Sequence, residues 1–259
     1  MAHSTPYTIA FAAGVSIVCG VLVAGSAVAL KPRQEENKVL DQRKQVLSVA
    51  GLLADGEVRA AAEVNGRFEA NIVPMVIDLK SGDPAKEVDA AAFDMQRAMK
   101  DPAQSEVAPD NTSKIFRLPK QAKVYKVQKD GKTQAVILPI QGYGLWSVLY
   151  GFLAVGADGN TLQGITFYQH GETPGLGGEV DNPKWKALWP GRKAYDASGK
   201  AAIRVIKGQA GAPAADPHSV DGLSGATITS NGVTNLVQFW LGEHGYGPFL
   251  GKLREGRAI

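Results

Sequence analysis

Three short segments hold the residues whose types and spacing could do chemistry. The first runs Asp221, Gly222, Leu223, Ser224, Gly225, Ala226, Thr227, then Ile228, Thr229, Ser230 and Asn231. It reads as a loop of small residues entering a helix that Thr229 or Ser230 caps. A helix N-terminus offers unpaired N–H groups and the positive end of the helix dipole, which suit a phosphate. Gly225 and Ala226 would let a bulky phosphoester approach the backbone, and the Ser224 hydroxyl could donate to it. Read alone, the same residues also describe an ordinary capped helix.

The second segment is His170, Gly171, Glu172, Thr173, Pro174, Gly175, Leu176, Gly177, Gly178, Glu179. Pro174 and Gly175 are the central pair of a type II turn. A turn needs fewer glycines than this, and Gly175, Gly177 and Gly178 would leave backbone amides and the Leu176 side chain free to meet a flat ligand. The third segment, Gly142, Tyr143, Gly144, Leu145, Trp146, Ser147, again sets glycines beside aromatics at a strand start. Trp146 there serves core packing or ring stacking equally well.

The elements that must position these segments are legible in part. Ala122 to Lys129 and Thr133 to Ile140 alternate as strands about a turn at Asp130 and Gly131, which makes a hairpin. Ser147 to Val155 and Thr161 to Gln169 follow, joined through Ala157, Asp158, Gly159 and Asn160, so an antiparallel sheet is the economical arrangement. Asn71 to Leu79 is a further strand, and Pro74 places it at an edge. Glu35 to Leu53 and Ala85 to Met99 read as helices, and Lys100 to Ser113 as a loop or internal boundary. Pro183 to Trp189 is a short helix and Ala202 to Lys207 a strand. Asn231 to Leu241 is the last long helix, with Val233, Leu236, Val237, Trp240 and Leu241 available for packing. An α+β fold results, a mainly antiparallel sheet with helices.

Composition narrows the function classes. The 259 residues carry 28 basic and 25 acidic side chains, a net charge of +3, without the basic stripe that nucleic acid requires. The single cysteine, Cys19, lies in the most apolar stretch, so no disulfide framework or zinc site can come from this chain alone. His3, His170, His218 and His244 show no ligand spacing, and no metal is expected. Tyr7 to Leu30 contains no charged residue and, at about 1.5 Å per residue, is long enough to cross a membrane. A cleaved signal peptide is the competing reading, since Ala27, Val28 and Ala29 resemble a cleavage site. The segment before the run has no Lys or Arg, and the run exceeds the usual apolar region, so an uncleaved anchor is expected. Lys31, Arg33, Lys38, Arg43 and Lys44 follow the span, and the positive-inside rule would place the remainder in the cytoplasm. The expected organisation is a tail over 1–6, a transmembrane helix over 7–30, a membrane-proximal segment over 31–121 and a ligand-binding domain over 122–259.

Taken together, DGLSGAT at 221–227, HGETPGLGGE at 170–179, GYGLWS at 142–147 and GYGPFL at 245–250 resemble the C-subunit of the Na⁺-translocating NADH:quinone oxidoreductases, over the whole chain. The motif at 221–227 is similar to the site where a flavin transferase esterifies the final threonine with FMN, and the related G-subunit of the Rnf electron-transport complex shares it. The long segment between the anchor and Lys123 favours the Na⁺-translocating enzyme. The resemblance implies covalent FMN on Thr227, with Gly142, Trp146, Glu172, Thr173, Leu176, Gly177, Lys207, Asp221, Ser224, Gly225 and Ala226 around it. Leu176 and Trp146 would lie near the ring, Thr173 and the 175–178 amides at its polar edge, and Lys207 near the phosphate. Asp221 would assist attachment.

The resemblance also implies a bacterial inner-membrane location with the soluble part outside the cytoplasm, against the charge count. Partners would be the other subunits, the transferase and lipid. The chain has no dinucleotide fingerprint and only one span, so it would relay electrons without itself meeting NADH, quinone or Na⁺. A non-catalytic scaffold, or a flavin-linked regulator of another membrane pathway, are the rival readings.

Overall fold

A computed structural model describes residues 4–54 and 56–257, which divide into two units meeting between Gln42 and Arg43. The first unit is helical. Helix α1 (Thr5–Val49) runs unbroken for 45 residues, merging the two helices expected over 7–30 and 35–53. It does so through Pro32, whose missing N–H removes one backbone bond. Residues 4–39 are exposed, and an 18-residue window reaches a mean hydropathy of 2.2. That is the length and composition of a single-pass membrane anchor.

The second unit begins with the last turns of α1, where Val46, Leu47 and Val49 are buried. Val49 packs on Gly164, where an added Cβ would lie 3.3 Å from it, and Thr166 Oγ1 donates to Gln45 Oε1 at 2.8 Å. Helix α2 (Ala61–Asn71) buries Val64 and Phe68 and leads directly into strand β1 (Ile72–Asp78). The helix expected over 85–99 shortens to α3 (Met95–Lys100), started by Asp94, whose carboxylate accepts from the Gln96 and Arg97 amides. Residues before it are turns because Asp89 binds the Ala91 amide with its own carboxylate at 2.8 Å. The 100–113 loop contains one short strand, β2 (Ser105–Val107), paired with β3 (Arg117–Pro119).

Strands β4 (Gln121–Lys129), β5 (Lys132–Tyr143), β6 (Val148–Gly156) and β7 (Leu162–Gln169) form an antiparallel meander. Its hairpin at Asp130 and Gly131 has φ of 51° and 73°, the paired left-handed residues of a type I′ turn. Strand β1 adds beside β4 at the sheet edge, as Pro74 requires, and the order is β1-β4-β5-β6-β7. The sheet therefore draws on residues from both sides of position 121.

After β7 come a 3-10 turn (Gly177–Asp181), α4 (Pro183–Lys186) and two short parallel strands, β8 (Arg204–Val205) and β9 (Ser219–Val220). The strand expected over 202–207 keeps only two residues, since Ala202 and Ile203 donate instead to the Ala194 carbonyl. Helix α5 (Thr227–Leu241) then crosses the sheet face, and α6 (Gly247–Arg254) closes the chain. The α5 stripe Val233, Leu236, Val237, Trp240 and Leu241 is buried. Trp240 Nε1 donates to the Gln141 carbonyl at 2.7 Å and its ring stacks on Tyr246. Burial holds the Tyr246 hydroxyl well above the ordinary tyrosine value, and it donates to the Pro139 carbonyl.

Candidate functional site

Helix α5 starts four residues earlier than its sequence suggests, at Thr227 itself. Neither Thr229 nor Ser230 is the cap. Both lie buried inside the first turn, because long-range partners claim their hydroxyls: Ser230 Oγ accepts from the Leu223 amide at 3.0 Å, and Thr229 Oγ1 donates to Glu172 Oε2 at 2.7 Å. The N-cap, Ala226, contributes no side-chain hydrogen bond, and no acidic residue stands in the first turn. The first backbone bond of the helix is from Ser230 N to Ala226 O, so the amides of Thr227, Ile228 and Thr229 have no backbone acceptor among the described residues.

Thr227 is exposed, beside exposed Ser224 and Gly225. Leu223 to Ala226 form a turn closed at 3.1 Å, with Gly225 at φ 69°. A Cβ at Gly225 would come within 2.9 Å of Leu176 Cδ2, so Leu176 from the second motif overhangs the turn that delivers Thr227.

That second motif is a type II turn at Pro174 and Gly175, the latter with φ 75°. The Thr173 carbonyl accepts from both the Leu176 and Gly178 amides, at 3.1 and 2.9 Å. The expectation of four free amides over 175–178 is thereby corrected: the loop folds on itself and uses two of them, leaving Gly175 and Gly177 outside its internal bonds.

The third motif is the β5–β6 connection. Its amides at Leu145, Trp146 and Ser147 all point at one atom, Glu172 Oε1, at 3.0, 2.9 and 3.3 Å. Ser147 Oγ accepts in turn from the Gly171 amide at 2.6 Å. Trp146 is 70% exposed, so its ring stands outside the core. With Leu145, Leu176 and Ile228 it makes four exposed large apolar side chains contributed by the three motifs that meet here.

Other expected residues fall elsewhere. Gly142 is buried within β5, where a Cβ would lie 2.5 Å from Leu236 Cβ, so it lets α5 sit on the sheet and does not face the rim. Asp221 is half-buried; its Oδ1 accepts from the Ala210 amide and its carbonyl from Trp185 Nε1, both at 2.9 Å. Lys207 is exposed in the bend after β8, between Ile206 and Gly208, which press on Gly222. Among the described residues it forms no ion pair. His170 Nε2 lies 2.7 Å from Asp181 Oδ2, which ties the ends of the glycine loop together.

Sequence reasoning passed over Gly232, named Gly144 only as part of the third segment, and named Thr229 only as a candidate cap. The signal for Thr229 and Gly232 was their spacing of three on α5, which puts them on one helix face. A Cβ at Gly232 would meet the Tyr143 carbonyl oxygen at 2.5 Å, and one at Gly144 would meet Glu172 Oε1 at 2.6 Å. The helix and the β5–β6 loop touch backbone to backbone.

The arrangement suits a phosphate-bearing planar ligand. Three amides unpaired among the described residues and an exposed hydroxyl stand at a helix N-terminus, a glycine turn leaves the approach open, and an exposed apolar rim lies alongside. Comparison with known proteins agrees. Residues 144–242 match the FMN-binding domain family. The chain is 50% identical over 259 residues to the C-subunit of the Na⁺-translocating NADH-quinone reductase of Pseudomonas aeruginosa, covering 99% of this chain and 98% of that one. It is 45% identical to the corresponding protein of Vibrio vulnificus, covering 96% and 95%. The crystal structure of Shewanella oneidensis NqrC superposes with a TM-score of 0.77 at 34% identity, covering 86% of this chain and 99% of that one.

Proposed function

Because the chain belongs to the NqrC family, the C-subunits of the Na⁺-translocating NADH-quinone reductases, we propose that it carries FMN joined through the phosphate to the Thr227 hydroxyl and relays electrons between redox centres of its partner subunits. The observation that carries this is the position of Thr227: exposed, first in α5, in the turn whose three leading amides have no acceptor among the described residues. When bound, the flavin supplies the redox chemistry.

The chain's own residues hold and shield it. The amides of Thr227, Ile228 and Thr229 stabilise the phosphate charge, with the Ser224 hydroxyl and Lys207 as further donors. Gly225 and Ala226 keep the approach to Thr227 clear. Leu176 and Trp146 flank the ring, and Thr173 with the Gly175 and Gly177 amides meets its polar edge. The second carboxylate oxygen of Asp221 is left to orient the Thr227 hydroxyl, or the transferase's metal ion, during attachment. A tether of this kind retains the flavin where free FMN is scarce, because it fixes the local concentration whatever the bulk level.

The test is a denaturing gel viewed under ultraviolet light. A fluorescent band should migrate with the protein when a flavin transferase is co-expressed and be absent without it. A dark band in both cases contradicts the proposal and favours a scaffold.

In this reading the anchor lies in the bacterial inner membrane with the second unit outside the cytoplasm, the compartment where the transferase works. The charge count after the span opposes this. Exposed Lys200 reports on the question. Lys200→Cys in intact cells is expected to react with a thiol reagent that passes only the outer membrane. Labelling only after the inner membrane is opened would reverse the orientation.

A further inference from the structure

Resting on the flavin-site reading above, we infer that Glu172 is the positioning residue of the site, a buried carboxylate that touches no cofactor and sets the distance between the tether at Thr227 and the apolar rim that receives the ring. Its side chain is in the interior, with the residue 5% exposed. Oε1 accepts from the amides of Leu145, Trp146 and Ser147, and Oε2 accepts from the Thr229 hydroxyl. All four partners donate, which is the environment of an acceptor-only carboxylate. Three consecutive N–H groups converging on one oxygen make a backbone nest, a concavity that binds an anion. Here the anion is the chain's own side chain.

The space for that carboxylate is made by glycines. A Cβ at Gly144 would lie 2.6 Å from Oε1, and one at Gly177 would lie 2.7 Å from Oε2 and 2.5 Å from Thr229 Oγ1. A side chain at either position would therefore displace the carboxylate from its partners. What the carboxylate does is mechanical and specific. Through Oε1 it fixes the backbone from which Leu145 and Trp146 project. Through Oε2 it fixes the first turn of α5, two residues beyond Thr227. Through its own backbone it starts the Thr173–Leu176 turn, which sets Leu176 over Gly225. Three segments far apart in sequence are thus held in register by one side chain.

The amides give a readout that does not need flavin. In a Thr227→Ala background, which removes the attachment point, hydrogen exchange at Leu145, Trp146 and Ser147 is expected to be slow with Glu172 present and about tenfold or more faster in Glu172→Ala. Protection across β6 at Phe152 to Val155 should be unchanged. Should Glu172→Ala lose the β6 protection as well, Glu172→Gln decides: its amide oxygen can keep the three N–H bonds, so protection of 145–147 should be largely rescued. Equal protection of these amides in wild-type and Glu172→Ala chains would overturn the inference. So would failure of Glu172→Gln to rescue them in a folded chain.

In the flavin-bearing protein, Glu172→Ala is expected to keep the flavin on the chain but shift its visible absorption and raise its quenching by iodide. An unshifted spectrum with unchanged quenching also contradicts the positioning role. A wild-type chain without covalent flavin would sink the functional proposal while leaving the exchange result standing.

Discussion

Thr227→Val is expected to give a folded, colourless protein. Valine matches threonine in shape and lacks only the hydroxyl. Position 227 is exposed, and its side chain supplies no helix cap, since Ala226 holds the cap position without a side-chain bond. Stability should therefore change by no more than about 0.5 kcal/mol, the usual range for a surface substitution away from special features. Flavin content should fall to nothing, because attachment needs the oxygen that valine lacks. Circular dichroism and thermal melting check the first half, and the visible spectrum checks the second. A yellow Thr227→Val protein whose flavin survives denaturation would place the attachment on another hydroxyl.

The second large effect is at Gly232, where local propensity and tertiary contact have opposite signs. Glycine in a helix interior is less favourable than alanine by about 1 kcal/mol, so on propensity alone Gly232→Ala would stabilise α5. The contact decides otherwise. The new Cβ would lie 2.5 Å from the Tyr143 carbonyl oxygen and 2.9 Å from Gly144 Cα, both backbone atoms that cannot swing aside. Overpacking of this kind costs about 1–3 kcal/mol, and Gly232→Val should cost more. Because α5 is pushed from the β5–β6 loop, flavin content should fall together with the melting temperature. Gly66, in α2, has nothing within 4 Å of a Cβ and is the control: Gly66→Ala should raise stability slightly. A Gly232→Ala protein that melts higher than wild type would show that the helix and loop separate freely.

The two glycines also mark what a sequence can and cannot disclose. Both sit in helices and look alike in the chain, and only the neighbour 88 to 89 positions away at Tyr143 and Gly144 distinguishes Gly232. The meander was legible because its signals are local: alternation along β4 to β7, the Asp130–Gly131 pair, and Pro74 at the edge strand. The three motifs were legible as residue types for the same reason. Their assembly was not. Thr229 and Ser230 have the composition of caps, and their true roles depend on Glu172 and Leu223, 57 and 7 residues away. The resemblance placed Glu172 among the residues around the flavin, and nothing nearby in sequence announces that three amides 25 to 27 positions earlier converge on it. The helix over 85–99 failed for a local reason, the competition of Asp89 and Asp94 for backbone amides.

The most direct measurement is fragmentation mass spectrometry on a proteolytic digest of the full-length protein made in cells that also express a flavin transferase. The account predicts a single flavin-bearing peptide spanning Asp221 to Asn231, with the mass of FMN less one water assigned to Thr227 and not to Ser224, Thr229 or Ser230. Flavin that stays in solution when the protein is precipitated with acid, or a modified peptide in which the added mass sits on any other residue, would contradict it.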